Sequence, residues 1–266
     1  MILERKEQMK KRSLTLTTCI LLLFSILIMP VNALDNTPKN FYIKKNGQKR
    51  PILPDDEKII EAYDGIYIDK NRSDSDEQKV LYLTFDAGYE NGNVEKILDT
   101  LKAENVPGAF FLLGHIIRKN TSLVQRMRDE GHLVCNHTEN HADMTRCTKE
   151  EMAENLEALE RVYTECTGGK MEKIFRFPEG RYDEEHLCYV KELGYRSVFW
   201  SLAYADWDNA KQMNPEKAKK ILLENTHNGA IILLHPTSVT NAQILPELIR
   251  EWRAMGYKFG NLTDLL

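Results

Sequence analysis

From residue 80 onward, short apolar segments of strand length alternate with amphipathic stretches of helix length, and this alternation limits the possible folds more than any other feature. Strand-like segments lie at 80–85, 109–113, 132–135, 173–175, 197–200, 230–234 and 258–259, with helical patterns at 93–105, 120–130, 148–166, 184–193, 214–226 and 241–255. The helix ends carry suitable punctuation. Thr148 with Glu151 has capping-box spacing, and Gly131, Gly194 and Gly256 follow helix ends. Strand then helix, repeated about seven times, predicts an α/β fold, either a parallel β/α barrel or a doubly wound sheet. Residues 34–78 are polar and punctuated, with apolar content worth packing only around 59–68. They are expected to form an extended N-terminal arm or linker with one short docked segment.

The first 33 residues stand apart. Arg5, Lys6, Lys10, Lys11 and Arg12 precede an uncharged apolar stretch that ends before Pro30 and Val31-Asn32-Ala33. This is the layout of a signal peptide cleaved after a small residue, or of an uncleaved signal anchor. The expected division is therefore 1–33 signal peptide or anchor, 34–78 arm, and 79–266 main α/β domain, with the chain exported and touching a membrane only through a retained N-terminal segment. Export makes disulfides among Cys135, Cys147, Cys166 and Cys188 an expectation. Cys147 and Cys166 bracket one helix, however, and a separation of about 28 Å forbids that pair. A net charge of −4 gives nucleic-acid binding no electrostatic support.

Ionisable residues collect at the ends of the predicted strands. Asp86 follows "VLYLTF", His137 follows "HLVCN", Arg176 follows "KIF", Asp206 follows "SVFWSLAYA" and His235 follows "AIILL". In a parallel barrel the C-terminal strand ends share one face, the face on which active sites are built. Within "NHTENH", His137 and His141 are spaced so that one helical turn or tight loop can aim both imidazoles at one metal ion, zinc being the expected metal. His115, His132, His186 and His227 lack such company and are expected to be structural or surface residues.

The ordered set "TFDAG", "HTENH", "RFPEG", "ADW" and "LLH" resembles the polysaccharide deacetylase family of carbohydrate esterases, over roughly residues 60–266. "TFDAGYENG", "VFWSLAYADW" and "YDGIY" are especially similar to its spore-cortex branch, the delta-lactam-biosynthetic muramic acid de-N-acetylases. The resemblance implies a distorted (β/α) barrel with about seven parallel strands. It also implies removal of an N-acetyl group from a peptidoglycan amino sugar, with the glycan strand as partner of a monomeric enzyme. Asp86 would be the general base, Arg176 its orienting partner, His235 the general acid and Asp206 the residue that tunes His235. His137 and His141 would hold a divalent metal. Trp207, Tyr204, Tyr89 and Asn91 would contact substrate.

Most members of that family carry an aspartate metal ligand where this chain has Ala87. Three expectations follow: a zinc held weakly by the two histidines and water, a metal-independent variant of the chemistry, or an inactive glycan-binding protein on the same scaffold. Asp86, Arg176, Asp206 and His235 together favour catalysis, because a binding module has no use for both a base and an acid. The missing aspartate is itself a trait of the muramic branch, and deacetylation of N-acetylglucosamine is the other enzymatic alternative.

Overall fold

The structure is a computed structural model and describes residues 34–266. In chain order its strands are β1 (Lys39–Asn40), β2 (Lys79–Ala87), β3 (Ala109–Leu112), β4 (Leu133–Asn136), β5 (Ile174–Phe175), β6 (Arg181–Tyr182), β7 (Arg196–Ser197), β8 (Ala230–Leu234) and β9 (Tyr257–Phe259). The helices are α1 (Ile59–Ala62), α2 (Asn93–Ala103), α3 (Gly114–Lys119), α4 (Thr121–Asp129), α5 (Lys149–Thr167), α6 (Glu184–Glu192), α7 (Pro215–Glu224) and α8 (Val239–Ala254). A parallel sheet runs in the order β7-β5-β4-β3-β2-β8, with β9 paired to the first residues of β2. The predicted barrel-type α/β class is the one observed. Short α3 lies in a stretch where the sequence pattern predicts no element.

Strand β2 shows how the sheet positions chemistry. Successive side chains of a strand point to opposite faces. Leu81, Leu83, Phe85 and Ala87 join the apolar layer shared with Ile97, Leu98 and Leu101 of α2 and with Leu245, Leu248 and Ile249 of α8. Tyr82, by contrast, packs in the barrel interior with Phe111, Cys135, Ile174, Val198 and Ile231. Each fully buried leucine or isoleucine of the outer layer contributes roughly 1.5–3 kcal/mol, enough to set the register of β2. That register turns Asp86 toward the interior, at the C-terminal mouth.

The barrel closes through irregular segments rather than strands. Ser201 donates a backbone hydrogen bond to Ile231 at 2.9 Å, and Leu233 donates one to Leu202 at 2.9 Å, so the chain after β7 crosses to β8. Residues 66–69 wedge into the remaining gap, with Ile66 donating to Ser197 and Asp69 to Gly229, both at 2.9 Å. The 34–78 segment therefore docks at more places than the single one expected. Phe41, Leu53, Ile60 and Ile66 to Ile68 are buried, β1 pairs with β6, and Arg50 donates to the carbonyls of Asn228 and Asp69.

The expectation of disulfides is corrected. Cys135, Cys147, Cys166 and Cys188 are all unpaired. Cys135 is sealed in the barrel interior, Cys166 bonds toward Ile117 at the end of α5, and Cys188 faces Glu192 along α6, so each thiol has a different neighbourhood. Among the described residues no helix is long and apolar enough to cross a membrane. The expected signal segment, 1–33, lies outside the described residues.

Candidate active site

The mouth of the barrel opens into a cleft of about 700 Å³ lined by Asp86, His137, His141, Glu179, Trp200, Tyr204, Trp207 and His235, among others. Its floor is an arginine. Arg176 follows β5 and is fully buried, with every part of its guanidinium held. Nη1 donates to Asp86 Oδ1 at 2.7 Å, Nη2 to Thr84 Oγ1 at 3.0 Å and to the Phe199 carbonyl at 3.2 Å, and Nε to the Val198 carbonyl at 3.0 Å. The Phe111 ring lies against it, 4.0 Å from the guanidinium carbon. Burial pushes the Asp86 carboxyl up, but the charge of Arg176, with a further contribution from His235, outweighs it, and Asp86 is held below the usual carboxylate range.

His137 follows β4 and is buried. Its Nδ1–H donates to the Arg176 carbonyl at 2.9 Å, which leaves the Nε2 lone pair directed toward Asp86 Oδ2, 3.6 Å away. Burial pushes its pKa down to about 4 despite the neighbouring Asp86, so the ring is neutral near pH 7. His141 lies beside it, with ring centroids 5.2 Å apart at 76°. A tight loop, not a helical turn, makes the pairing. Thr138 (φ +75°) and His141 (φ +60°) both adopt the left-handed region, and the Thr138 hydroxyl accepts from the His141 amide. Non-glycine residues hold such conformations at a cost of about 1 kcal/mol or more each.

These two imidazoles suit a divalent metal. A ligand histidine is commonly oriented by donating its other nitrogen to a carbonyl, as His137 does. No third carboxylate, cysteine or histidine completes a ligand group among the described residues. Ala87 is buried in the outer apolar layer, on the opposite face of β2 from the cleft. The protein donors that this site offers a divalent ion are thus the two imidazoles, with water left to complete the coordination.

Across the cleft, His235 follows β8. Its Nδ1–H donates to Asp206 Oδ1 at 2.7 Å, and its backbone N–H donates to Asp206 Oδ2 at 2.8 Å. Burial lowers the His235 pKa, but the hydrogen bond and charge of Asp206, with a further contribution from Asp86, raise it above the usual histidine value. Asp206 is almost fully buried and is held in turn by Asn241 of α8, whose Nδ2 donates to Asp206 Oδ2 at 2.6 Å and to the His235 carbonyl at 3.0 Å. Tyr204 donates its hydroxyl to Asn241 Oδ1 at 2.5 Å.

The chain belongs to the polysaccharide deacetylase family. That family's sequence profile matches residues 73–198. The sequence is 37% identical over 238 residues to the peptidoglycan-N-acetylmuramic acid deacetylase PdaA of Bacillus subtilis, covering 88% of each chain. The solved structure of that protein, a family 4 carbohydrate esterase, matches with a TM-score of 0.81 at 36% identity, covering 87% of this chain and 97% of that one. A peptidoglycan-N-acetylglucosamine deacetylase of Listeria monocytogenes is 30% identical over 187 residues, 70% of this chain and 39% of its own length. A family 4 pseudoenzyme from Bacillus anthracis has a TM-score of 0.65 at 26% identity, covering 71% of this chain and 66% of that one.

Within this deacetylase fold the residues expected from sequence separate into two groups. Asp86, His137, His141, Trp207 and His235 line one cleft, with Arg176 and Asp206 directly behind it. Trp207 is 63% exposed, with its ring 6.4 Å from that of His235. Tyr204 presents only its ring, because its hydroxyl is committed to Asn241. Two of the expected substrate contacts, Asn91 and Tyr89, lie outside the cleft lining. Asn91 donates to the Thr237 carbonyl at 2.8 Å and accepts from the Asn93 amide, tying the loop after β2 to the loop after β8. Tyr89 lies outside the cleft lining, with its hydroxyl accepting from Asn209.

Sequence reasoning missed Thr84, Glu179, Trp200 and Asn241. Thr84 was findable, since it stands two residues before Asp86 and so shares its strand face. Nothing in "VTNAQ" distinguishes Asn241.

Proposed function

We propose that this chain hydrolyses the N-acetyl group of a peptidoglycan amino sugar, with N-acetylmuramic acid as the leading substrate. One observation carries the reading: an ionised carboxylate and a histidine of raised pKa face one cleft, each locked by a buried partner. Asp86 Oδ1 is tied to Arg176, so Oδ2 remains to take a proton from the attacking water. His235, with Nδ1–H directed at Asp206, presents Nε2–H to the departing nitrogen, which leaves as an amine only when protonated. Trp207, Trp200 and the ring of Tyr204 supply apolar faces for the sugar. The two histidines would hold a zinc ion, which when bound supplies polarisation of the acetyl carbonyl and acidification of water.

The muramic acid assignment is supported by the similarity to PdaA and by the resemblance of the strand-end motifs to the muramic branch. Resemblance to that branch supports action in spore cortex, ahead of muramic delta-lactam formation and outside the cytoplasm. Mass spectrometry of peptidoglycan fragments incubated with the protein, with and without added zinc, tests the reading. Loss of one acetyl group from muramic acid is expected. Loss only from glucosamine would reassign the substrate, and no loss from either would leave a glycan-binding protein.

A further inference from the structure

The groups assigned to the chemistry above all lie at position 84 or beyond, and the 34–78 arm supplies none of them. One arm residue nevertheless stands against the cleft wall. Phe41 is buried just past the end of β1, and its amide donates to the Gly180 carbonyl at 2.8 Å. Its ring meets that of Trp200 edge-on, with centroids 5.2 Å apart at 84°, and lies tilted against Phe199 at 4.7 Å. Gly180 and Trp200 both line the cleft.

Trp200 has three supports. Gly180 adopts φ +64°, and a Cβ there would come within 2.8 Å of the indole ring, so the backbone presses against it as only glycine allows. The guanidinium carbon of Arg176 lies 5.7 Å from the ring centroid. Phe41 is the third, in the edge-to-face geometry that attracts beyond area burial alone. The arm holds Phe41 firmly. The Asp35 carbonyl accepts from the amides of Glu184 and Glu185 at 3.0 and 3.2 Å, β1 pairs with β6, and Leu53 is buried further along. Close packing makes such a support hard to replace, because neighbours collapse only partly into the space a lost side chain leaves.

We propose that Phe41 is a positioning residue: the N-terminal arm braces Trp200 and so sets one apolar wall on which the amino sugar rests. Its effect falls on glycan binding rather than on bond making, since an indole ring carries no proton in the reaction. The proposal rests on the deacetylase reading for its substrate.

The test uses the zinc-supplemented full chain, with kinetics on a peptidoglycan tetrasaccharide and calorimetry with its de-N-acetylated product, which does not turn over. Phe41→Ala is expected to raise KM and the product Kd about fivefold while kcat stays within about twofold, the signature of binding shared by ground and transition states. Phe41→Leu keeps much of the volume and should give an intermediate rise, so the comparison survives an alanine variant that does not fold. In a Trp200→Ala background Phe41→Ala should add nothing further, because it acts through that ring. Leu53→Ala, which empties another buried position of the arm, should lower the melting temperature but leave KM and Kd unchanged. Unchanged KM and Kd in the Phe41 variants, an equal rise in Leu53→Ala, or additive effects of Phe41→Ala and Trp200→Ala would overturn the proposal and leave the deacetylase reading intact. Wild type that binds the product but deacetylates nothing would overturn that reading, and the Kd series would then decide the role of Phe41. Wild type that neither binds nor cleaves would overturn both.

Discussion

The two sides of the cleft are built differently. On the base side, Asp86, Arg176, Thr84 and His137 come from strand ends and sit almost wholly inside the barrel, 8% exposed or less. On the acid side, the His235 side chain is 24% exposed and is held by Asp206 from the irregular segment after β7 and by Asn241 from α8. The base side is a buried ion pair, where charge neutrality and position depend on each other. The acid side is a relay of hydrogen bonds in which each link sets the proton affinity of the next. Removing a charge on the first side should therefore harm both chemistry and stability, whereas on the second it should mainly shift a titration.

The largest expected effect is that of Asp86→Asn, which should lower kcat by roughly 10²–10⁴-fold. It should also destabilise the fold by about 3 kcal/mol, because the buried Arg176 loses its counter-charge, although carbonyl and hydroxyl acceptors remain. Steady-state kinetics paired with urea unfolding would check both effects, and retention of most of the activity would remove Asp86 as the base. His235→Ala should cost less stability than Asp86→Asn, because buried Asp206 keeps the residue-235 amide and Asn241 as donors, and should slow amide cleavage far more than cleavage of an activated acetyl ester, whose leaving group needs no proton. Equal losses on both substrates would erase the proposed contrast.

A smaller effect is expected for Asp206→Asn. In the native protein the His235 pKa is raised because Asp206 outweighs burial. Without that charge burial dominates and the pKa falls, so His235 loses its acidic proton at lower pH. The basic limb of kcat/KM should move toward lower pH, with a loss of about tenfold above the ordinary histidine value of 6.5 and a lesser loss below it. A basic limb that stays in place would mean that another group supplies the proton.

The smallest effect concerns Ala87, which is 2% exposed in the apolar layer behind the base. Ala87→Asp should cost about 1–3 kcal/mol in the presence of chelator, the penalty for an unpaired buried polar group. If the new carboxylate can turn to the His137–His141 pair, zinc should restore thermal stability more in the variant than in wild type. A melting temperature that zinc leaves unchanged in Ala87→Asp would show that the side chain stays in the apolar layer.

How much of this was legible beforehand follows from the range of the interactions involved. Strand periodicity and helix caps are local, so the α/β class, the capping box of Thr148 and Glu151, and the placement of Asp86, His137, Arg176 and His235 at strand ends could all be read along the chain. The orientation of Asp86 into the barrel also follows from alternation along β2, because Leu81, Leu83 and Phe85 claim the other face. Only the tertiary structure decided what closes the barrel, since the bonds from residues 66–69 and 201–202 span segments far apart in sequence. It alone assigned Asn91 to a loop clasp and Asn241 to the acid relay, because an asparagine side chain takes whichever partner the fold brings within about 3 Å. It likewise left unpaired four thiols that export made candidates for disulfides, since a disulfide requires two Cβ atoms within about 4.5 Å and packing carried Cys135 into the barrel interior and the other three to partly buried helix and loop positions.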